Sequence, residues 1–198
     1  MIKVGILNLG YGNLKAIINA INYAGIKKIT LINNTNQLRN INRIIIPGHG
    51  NISTIKYKIS YIELLNKIQH TLIPTLGICL GMQILHGFNK EGNIHGTCIL
   101  PYTVKKLKVN KIYKTPNIGW QKIEILKKNN YINHSQYFYF SHTYYSEVIP
   151  NTIATIFHMQ KISAMIIKDN FIGTQFHPEK SGYNGIKLLK KFIFQQCN

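Results

Sequence analysis

The sequence predicts an α/β fold in which a mixed, mostly parallel sheet is flanked by helices and carries an antiparallel portion in its second half. Three observations support this prediction. The length of 198 residues fits a single domain spanning 1–198. In the first half, short apolar runs alternate with segments of helical spacing, as in βαβ units. In the second half, short apolar runs follow one another with turns between them, as in antiparallel sheets.

The first half of the chain is interpreted as alternating strands and helices up to about Gly92. Strands are predicted at Ile2–Leu9, Ile29–Ile32, Arg43–Ile46 and Leu72–Ile78. Helices are predicted from Leu14 to a stop at Gly25, over Ile59–Ile68 and over Gly81–Leu85. Because strands joined by helices usually run parallel, the ends of these strands should meet at one edge of the sheet.

The second half is interpreted as a series of strands followed by one helix. The predicted strands are Val104–Val109, Gln121–Leu126, Tyr137–Ser141, Ile153–Phe157, Ser163–Ile167 and Phe171–Phe176. The predicted helix, Ile186–Phe194, has apolar residues at helical spacing.

Charge is the most unusual feature of the composition. The chain has 24 Lys and Arg against 6 Asp and Glu, a formal net charge of +18. Arginine, which suits phosphate recognition better than lysine, occurs only at Arg39 and Arg43, and the lysines are scattered along the chain. We therefore interpret the charge as a diffuse lysine bias and predict no nucleic-acid partner.

Other features narrow the class of protein. The 3 cysteines form no CxxC pair, so neither a disulfide framework nor a metal site is predicted. The first residues have no signal-peptide pattern, and no apolar run approaches the roughly 20 residues of a membrane helix. We expect a cytoplasmic protein that does not bind a membrane.

A candidate nucleophile stands at Gly77-Ile78-Cys79-Leu80-Gly81, between a predicted strand and a predicted helix. This G-x-nucleophile-x-G pattern is typical of a sharp strand-to-helix turn that exposes the central side chain in a cleft. The start of a helix favours the thiolate, and the Leu80 N–H can stabilise a developing oxyanion. A buried structural cysteine is the alternative.

A candidate base and its orienting acid stand near the other end of the chain. His177 and Glu179 flank Pro178 just after a predicted strand, where sites lie in open parallel sheets. We expect proline to keep the segment extended, with Glu179 bracing the imidazole. A surface histidine with a chance neighbour is the alternative.

Two glycine turns follow predicted strands. Gly10 and Gly12 lack the third glycine and the acidic residue of a dinucleotide fingerprint, so that interpretation is rejected. Pro47-Gly48-His49-Gly50 follows a strand that should lie beside the one leading to Cys79, and its backbone can supply a second oxyanion donor. A plain tight turn is the alternative.

Together these motifs resemble those of the class I (triad) glutamine amidotransferases. The match rests on Gly77–Gln83 and Phe176–Glu179. Within the family, the chain is similar to the glutaminase subunits that supply ammonia to a (β/α)₈-barrel cyclase in histidine biosynthesis. The segments that carry this narrower similarity are Gly12–Leu14, Pro47–Gly50, Pro116–Trp120, Tyr139–Tyr144 and His177–Ser181.

The resemblance implies a role for each matching residue, with glutamine as substrate and no cofactor. The catalytic residues would be Cys79, His177 and Glu179. Oxyanion stabilisation would come from Gly48, His49, Gly50 and Leu80. Glutamine would be held by Gln83, Glu91, Ser141, His142 and Thr143. The cyclase partner, in a heterodimer, would face Asn13, Asn117, Tyr139 and Lys180.

Three other functions stay open from the sequence. The chain could belong to another triad amidotransferase, such as one for pyridoxal phosphate or anthranilate synthesis. It could be a scaffold subunit that has lost catalysis. The third, motivated by the charge of +18, is a nucleic-acid binder.

Overall fold

The computed structural model describes residues 1–10, 13–48, 50, 52 and 59–195, and for 59–61 the backbone alone. The strands are β1 Val4–Leu7, β2 Ile29–Ile32, β3 Arg43–Ile46, β4 Thr75–Ile78, β5 His86–Asn89, β6 Ile94–His95, β7 Leu100–Lys106, β8 Asn117–Lys122, β9 Glu124–Ile125, β10 Tyr137–His142, β11 Tyr144–Tyr145, β12 Thr152–His158, β13 Gln160–Lys168 and β14 Phe171–Thr174. The helices are α1 Leu14–Tyr23, α2 Ile59–Gln69, α3 Leu80–Ile84 and α4 Gly182–Phe194.

The main sheet has the mixed topology that the sequence predicts. Its strand order is β2-β1-β3-β4-β14-β13-β12-β9. The strands from β2 to β14 pair in parallel, whereas β13, β12 and β9 add to the sheet in antiparallel fashion. The central strands β1 and β4 are buried along their whole length, as parallel strands covered on both faces should be. The predicted α/β class is confirmed.

The parallel pair β4–β14 brings distant parts of the chain together. Thr174 at the end of β14 lies opposite Ile78 at the end of β4. The backbone N–H of Cys79 donates a hydrogen bond to the Thr174 carbonyl at 2.6 Å. The segments that follow the two strands therefore leave the sheet side by side at its carboxyl edge.

Helices cover both faces of the main sheet and form two apolar clusters. On one face, α1 and α4 pack against the sheet through Ile17, Ile21 and Leu189. On the other, α2 and α3 contribute Leu64 and Met82. Full burial of one such side chain contributes about 1.5–3 kcal/mol, so the two clusters provide most of the force that holds the layers together.

Two smaller sheets lie apart from the main sheet. β8 and β10 form an antiparallel ribbon, and β11, β7, β5 and β6 form a four-stranded sheet. Phe138 and Phe140 of β10 pack against Phe176, with ring centroids 4.0 and 5.7 Å apart. The His177 N–H also donates to the Tyr139 carbonyl at 2.9 Å, so the ribbon is fixed beside the segment that follows β14.

Helix α1 shows how local chemistry sets an element's ends. The Asn13 side chain accepts a hydrogen bond from the Ala16 N–H at 3.0 Å and caps the helix at its start. At the other end, Gly25 has a φ of 101°, which favours glycine and stops the helix where the sequence predicts. The glycine turn at residues 10–12 lies partly outside the described residues.

Several predicted strand boundaries are wrong. β4 begins at Thr75 and not at the predicted Leu72, which is 91% exposed. Pro74 lies between them and has no backbone N–H to donate to a neighbouring strand. β7 lies earlier than the predicted Val104–Val109 run, and the predicted Gln121–Leu126 strand is divided between β8 and β9. The sequence analysis missed β5, β6 and β11, which are short and lack regular apolar alternation, and β5 pairs with β7 in parallel.

None of the helices in the described part of the chain has the length and apolar character needed to cross a bilayer.

Candidate active site

Cys79 stands at the sharp turn that the sequence predicts between β4 and α3. Its φ of 49° lies in the left-handed region, which a non-glycine residue adopts at a cost of about 1–3 kcal/mol. The turn fits because Gly81 approaches β3 closely: a Cβ on Gly81 would lie 2.1 Å from the Ile46 carbonyl oxygen. Cys79 is 5% exposed and comes directly before the first residue of α3.

His177 and Glu179 form a buried ion pair. The His177 Nδ1 lies 2.8 Å from the Glu179 Oε1, and their side chains are 1% and 0% exposed. A second hydrogen bond joins the imidazole to Cys79. Burial lowers the pKa of His177, but the charge of Cys79 and its hydrogen bond, together with Glu179, outweigh this effect and raise it to about 10. The imidazole of His177 is therefore protonated near neutral pH, beside the Cys79 sulfur.

The path of the chain between the histidine and the acid differs from the prediction. Pro178 does not keep the segment extended; Pro178–Lys180 forms a 3₁₀ turn. Proline fits the first position of such a turn, where its missing N–H costs nothing. The turn brings Glu179 back toward the ring, and the Ser181 hydroxyl donates to the His177 carbonyl at 2.6 Å to hold it.

A cleft of about 250 Å³ opens over Cys79. This is smaller than the roughly 300–1,000 Å³ of drug-sized sites, so it suits a ligand such as one amino acid. The cleft is lined by Gly48, Gly50, Cys79, Leu80, Gln83, Glu91, Pro116, Ser141, His142, Thr143, Tyr144 and His177. All the predicted catalytic, oxyanion and substrate residues except two line this cleft. Glu179 lies behind His177, and His49 lies outside the described residues.

Gly48 of the predicted oxyanion loop packs directly against the nucleophile. A Cβ on Gly48 would lie 1.8 Å from the Ile78 carbonyl oxygen and 2.7 Å from the Cys79 Cβ. The loop can therefore reach this position only with glycine at 48. β3 and β4 are neighbours, as predicted, so the loop after β3 and the turn after β4 meet at the same edge.

Other polar groups of the cleft come from α3, from the segment after β5 and from β10. Burial raises the pKa of Glu91, and a hydrogen bond from the Ile52 backbone opposes that shift. The Gln83 amide donates to the Tyr144 carbonyl at 3.0 Å. The Ser141 carbonyl lies 3.7 Å from the Cys79 Sγ. No group of three or more metal-ligating side chains occurs within the described residues.

Comparison with known proteins assigns the family. The sequence profile of the glutamine amidotransferase class-I family matches residues 6–196. The chain belongs to the class-I glutamine amidotransferases. The imidazole glycerol phosphate synthase subunit HisH of Blochmanniella floridana is 34% identical over 194 residues, which is 96% of this chain and 98% of the relative. The subunit of the same name from Haemophilus influenzae is 33% identical over 201 residues and covers 98% of each chain.

Solved structures of amidotransferases share the fold. A crystal structure described as a glutamine amidotransferase superposes with a TM-score of 0.72 at 16% identity and covers 96% of each chain. A crystal structure of a glutamine amidotransferase from Thermotoga maritima has a TM-score of 0.62 at 17% identity, over 96% of this chain and 82% of that one.

The residues expected to face a partner lie in different environments in this amidotransferase. Tyr139 is half-buried, with the Lys180 Nζ 5.8 Å from its ring centroid and the Trp120 ring at 6.1 Å. Asn13 is exposed at the start of α1. Asn117, in contrast, is 6% exposed, because alternation along β8 turns it away from Trp120.

Asn117 belongs to a buried polar network that the sequence analysis missed. Its Nδ2 donates to the His142 Nε2 at 3.0 Å, which fixes the histidine with its other nitrogen donating to the Tyr144 carbonyl at 2.9 Å. The sequence analysis also missed Gln175, which contacts the Cys79 sulfur. Strand alternation could have found it, since Gln175 and His177 stand two positions apart just after β14.

His86 and His142 should make the amidotransferase sensitive to acid. Burial lowers the pKa of each from 6.5 to about 4, although each ring donates to a backbone carbonyl. The unfolded chain therefore binds more protons between these values, and stability present above pH 6.5 is lost as the pH falls toward 4. At roughly 3 kcal/mol for each residue, we expect the two together to remove on the order of 6 kcal/mol from the free energy of unfolding as the pH falls to about 4.

Urea unfolding at several pH values between 4 and 7.5 measures this loss. His86→Gln should flatten the pH dependence, because glutamine can bond to the Met82 carbonyl and the Ser146 hydroxyl, the partners of the ring, without gaining a proton. The exposed His134→Gln is the control and should leave the slope unchanged. An equal slope in wild type and His86→Gln would contradict the prediction for His86.

Proposed function

We propose that the chain is the glutaminase subunit of an imidazole glycerol phosphate synthase. It hydrolyses glutamine to glutamate and ammonia and passes the ammonia to a cyclase subunit with a (β/α)₈ barrel in histidine biosynthesis. The reaction takes place in the cytoplasm, where the Cys79 thiol stays reduced. The observation that carries the proposal is the buried Cys79–His177–Glu179 arrangement at the cleft. Relatives named HisH, similar over nearly the whole chain, support the choice of synthase.

Cys79 performs the first step as a thiolate. Its sulfur attacks the side-chain carbonyl carbon of glutamine, and the electron pair of the C=O bond moves to the oxygen. Gly48, Gly50 and Leu80 line the cleft, and their backbone N–H groups would stabilise that oxyanion. Backbone donors that the fold holds in place are effective here because they need no reorganisation when the charge develops.

His177 moves the protons. As imidazolium it protonates the leaving nitrogen, the C–N bond breaks, and ammonia departs from a glutamyl thioester on Cys79. The neutral imidazole then takes a proton from water, whose oxygen attacks the thioester carbon. The C–S bond then breaks with its electron pair returning to the sulfur, which restores the thiolate beside the imidazolium, and the new carboxylic acid loses its proton to ammonia or solvent to give glutamate. Glu179 accepts the Nδ1 hydrogen bond throughout and keeps the other nitrogen directed at the reaction.

The other end of glutamine meets the polar side of the cleft. The Glu91 carboxylate suits the α-ammonium, which would offset the cost of burying that charge. Ser141, His142 and Thr143 line the same cleft and present backbone groups for the α-carboxylate. The Gln83 side chain completes the wall between them.

The cyclase would dock on the surface formed by the exposed Trp120 and the half-buried Tyr139 and Lys180, which we call the docking face. Trp120 is 54% exposed, and Ile118 on the same side of β8 is 59% exposed. The face adjoins the active site directly, because the Tyr139 carbonyl accepts from the His177 N–H at 2.9 Å. Large exposed aromatic side chains of this kind commonly dominate binding energy at interfaces.

Glutaminase activity measured with and without the cyclase and its ligand tests the proposal. We expect weak hydrolysis by the chain alone and strong stimulation on adding the cyclase. Stimulation instead by the synthase partner of pyridoxal phosphate or anthranilate formation would assign the chain to that system. Hydrolysis by none of the complexes would support the scaffold alternative.

Trp120→Ala should weaken binding to the cyclase without unfolding the chain. Removing an exposed hot-spot aromatic costs about 2 kcal/mol, so titration calorimetry should show a Kd higher by about 30-fold. Tyr23→Ala, which removes an 80% exposed aromatic at the far end of α1, is the matched control and should bind like wild type. Equal Kd values for both variants would exclude this surface as the docking face.

A further inference from the structure

We infer that Gln175 is a positioning residue for the Cys79 nucleophile, with its side-chain amide donating an N–H to the sulfur. The inference deepens the proposed function, since it rests on Cys79 being the nucleophile. The contact is direct: the Gln175 Nε2 lies 3.5 Å from the Cys79 Sγ. Gln175 is 0% exposed, so no water competes for this contact.

Gln175 belongs to a chain of three buried amides. Its Oε1 accepts a hydrogen bond from the Gln83 Nε2 at 3.4 Å. The Gln83 Oε1 accepts from the Asn89 Nδ2 at 3.2 Å, and the Asn89 Oδ1 accepts from the Glu91 backbone N–H at 2.8 Å. All three side chains are buried, with exposures of 0% for Gln175, 3% for Gln83 and 1% for Asn89. We call this chain the amide relay.

Backbone groups fix the orientation of every amide in the relay. A backbone N–H can only donate, so Asn89 must present its oxygen to Glu91 and its nitrogen to Gln83. Gln83 must then present its oxygen to Asn89, and its nitrogen faces the Tyr144 carbonyl, which can only accept. Because the Gln83 nitrogen also donates to Gln175, the Gln175 oxygen is the acceptor of that hydrogen bond.

What remains for the sulfur is the Gln175 NH₂ group, a donor and not an acceptor. Reversing that amide would set two NH₂ groups against each other and leave buried donors unpaired, at a cost of about 1–3 kcal/mol each. A donor facing the sulfur favours the thiolate over the thiol, and a charge-assisted hydrogen bond also restricts where the sulfur points. Gln175 thus complements His177, which approaches the same sulfur.

The rest of the site holds Gln175 in place. Its backbone N–H donates to the Ala164 carbonyl at 2.9 Å on the neighbouring strand β13. Thr174, one residue earlier, accepts the Cys79 backbone N–H at 2.6 Å. The backbone of Gln175 is therefore fixed beside that of Cys79, and the bond from Gln83 holds the side chain.

Gln175→Met tests the inference, because methionine has a similar length and no strong donor. The first readout is the rate of Cys79 alkylation by iodoacetamide as a function of pH, with the exposed Cys98 as internal reference. We expect the Cys79 rate at pH 7 to fall about 3- to 10-fold and to recover at higher pH. In the cyclase complex, kcat for glutamine should fall at least as much, with KM within about twofold.

Controls separate a positioning role from a structural one. Gln160→Met makes the same replacement at the start of β13, away from the cleft, and should change neither readout. Thermal unfolding shows whether each variant folds. Should Gln175→Met fail to fold, Gln175→Asn takes its place, because the shorter side chain keeps the amide but withdraws it from the sulfur.

A pH profile of alkylation unchanged in a folded Gln175 variant would overturn the inference. Because alkylation needs neither glutamine nor the cyclase, this result is independent of whether the proposed synthase function is correct. Conversely, a shifted profile in a chain that hydrolyses no glutamine would retain the role of Gln175 toward the thiol and reject the proposed function.

Discussion

Replacing Cys79 by alanine should lower glutamine hydrolysis in the cyclase complex by about 10⁴-fold or more. Without the sulfur no thioester forms, and the remaining groups cannot generate an equivalent nucleophile, so the loss should approach that of removing a triad nucleophile elsewhere. The buried thiol is small, and alanine fills nearly the same space at the strained turn. We therefore expect folding and cyclase binding to be retained.

Coupled assays check this expectation. Ammonia release from glutamine should disappear in Cys79→Ala, whereas synthesis of product by the complex from added ammonium salt should continue. Cys98→Ala removes the exposed cysteine outside the cleft and should behave like wild type in both assays. Residual glutamine hydrolysis within tenfold of wild type would show that Cys79 is not the nucleophile.

Glu179→Gln should lower kcat by about 10²–10⁴-fold with little change in KM. The amide nearly matches the carboxylate in shape but carries no charge, and it can present a donor to the His177 Nδ1 and so favour the wrong tautomer. Loss of the charge also removes one of the two partners that raise the pKa of His177. The imidazolium should then give up its proton at lower pH, and the alkaline limit of activity should move down.

The pH profile of kcat in the complex distinguishes this effect from general damage. Glu124→Gln is the matched control, because Glu124 forms an exposed ion pair with Lys161 at 2.8 Å and its loss should cost at most about 1 kcal/mol of stability. It should leave kcat and the pH profile unchanged. If Glu179→Gln kept wild-type kcat and profile, the carboxylate would have no part in orienting His177.

The sequence predicts the scaffold of the site well because strong local patterns define it. The apolar run before Cys79 and the glycines around it predict the turn, and the stop at Gly25 fits its positive φ. Patterns of this kind depend on neighbours in the chain. The 3₁₀ turn at Pro178 is a case where local reasoning fails, because proline suits both an extended segment and the first position of a turn.

Contacts between distant residues are harder to predict. Alternation from His177 indicates that Gln175 faces the site, but it does not indicate that the amide meets Gln83 and Cys79, since these contacts depend on the register between β14 and β4. Asn117 illustrates the same difficulty. Its place on the buried side of β8 follows from the pairing of β8 with β10. The predicted strand, Gln121–Leu126, begins four residues after Asn117 and so leaves it out.

The parallel pairing of β4 with β14 has a consequence for how the chain is made. A ribosome would release the segment with Cys79 long before it releases β14, and a strand pair of such long range forms slowly because its loop must close first. Until then the thiol has neither its acid–base partner nor the amide that orients it. A nascent or truncated chain therefore carries only an ordinary cysteine, and reactivity appears when the last strand joins the sheet.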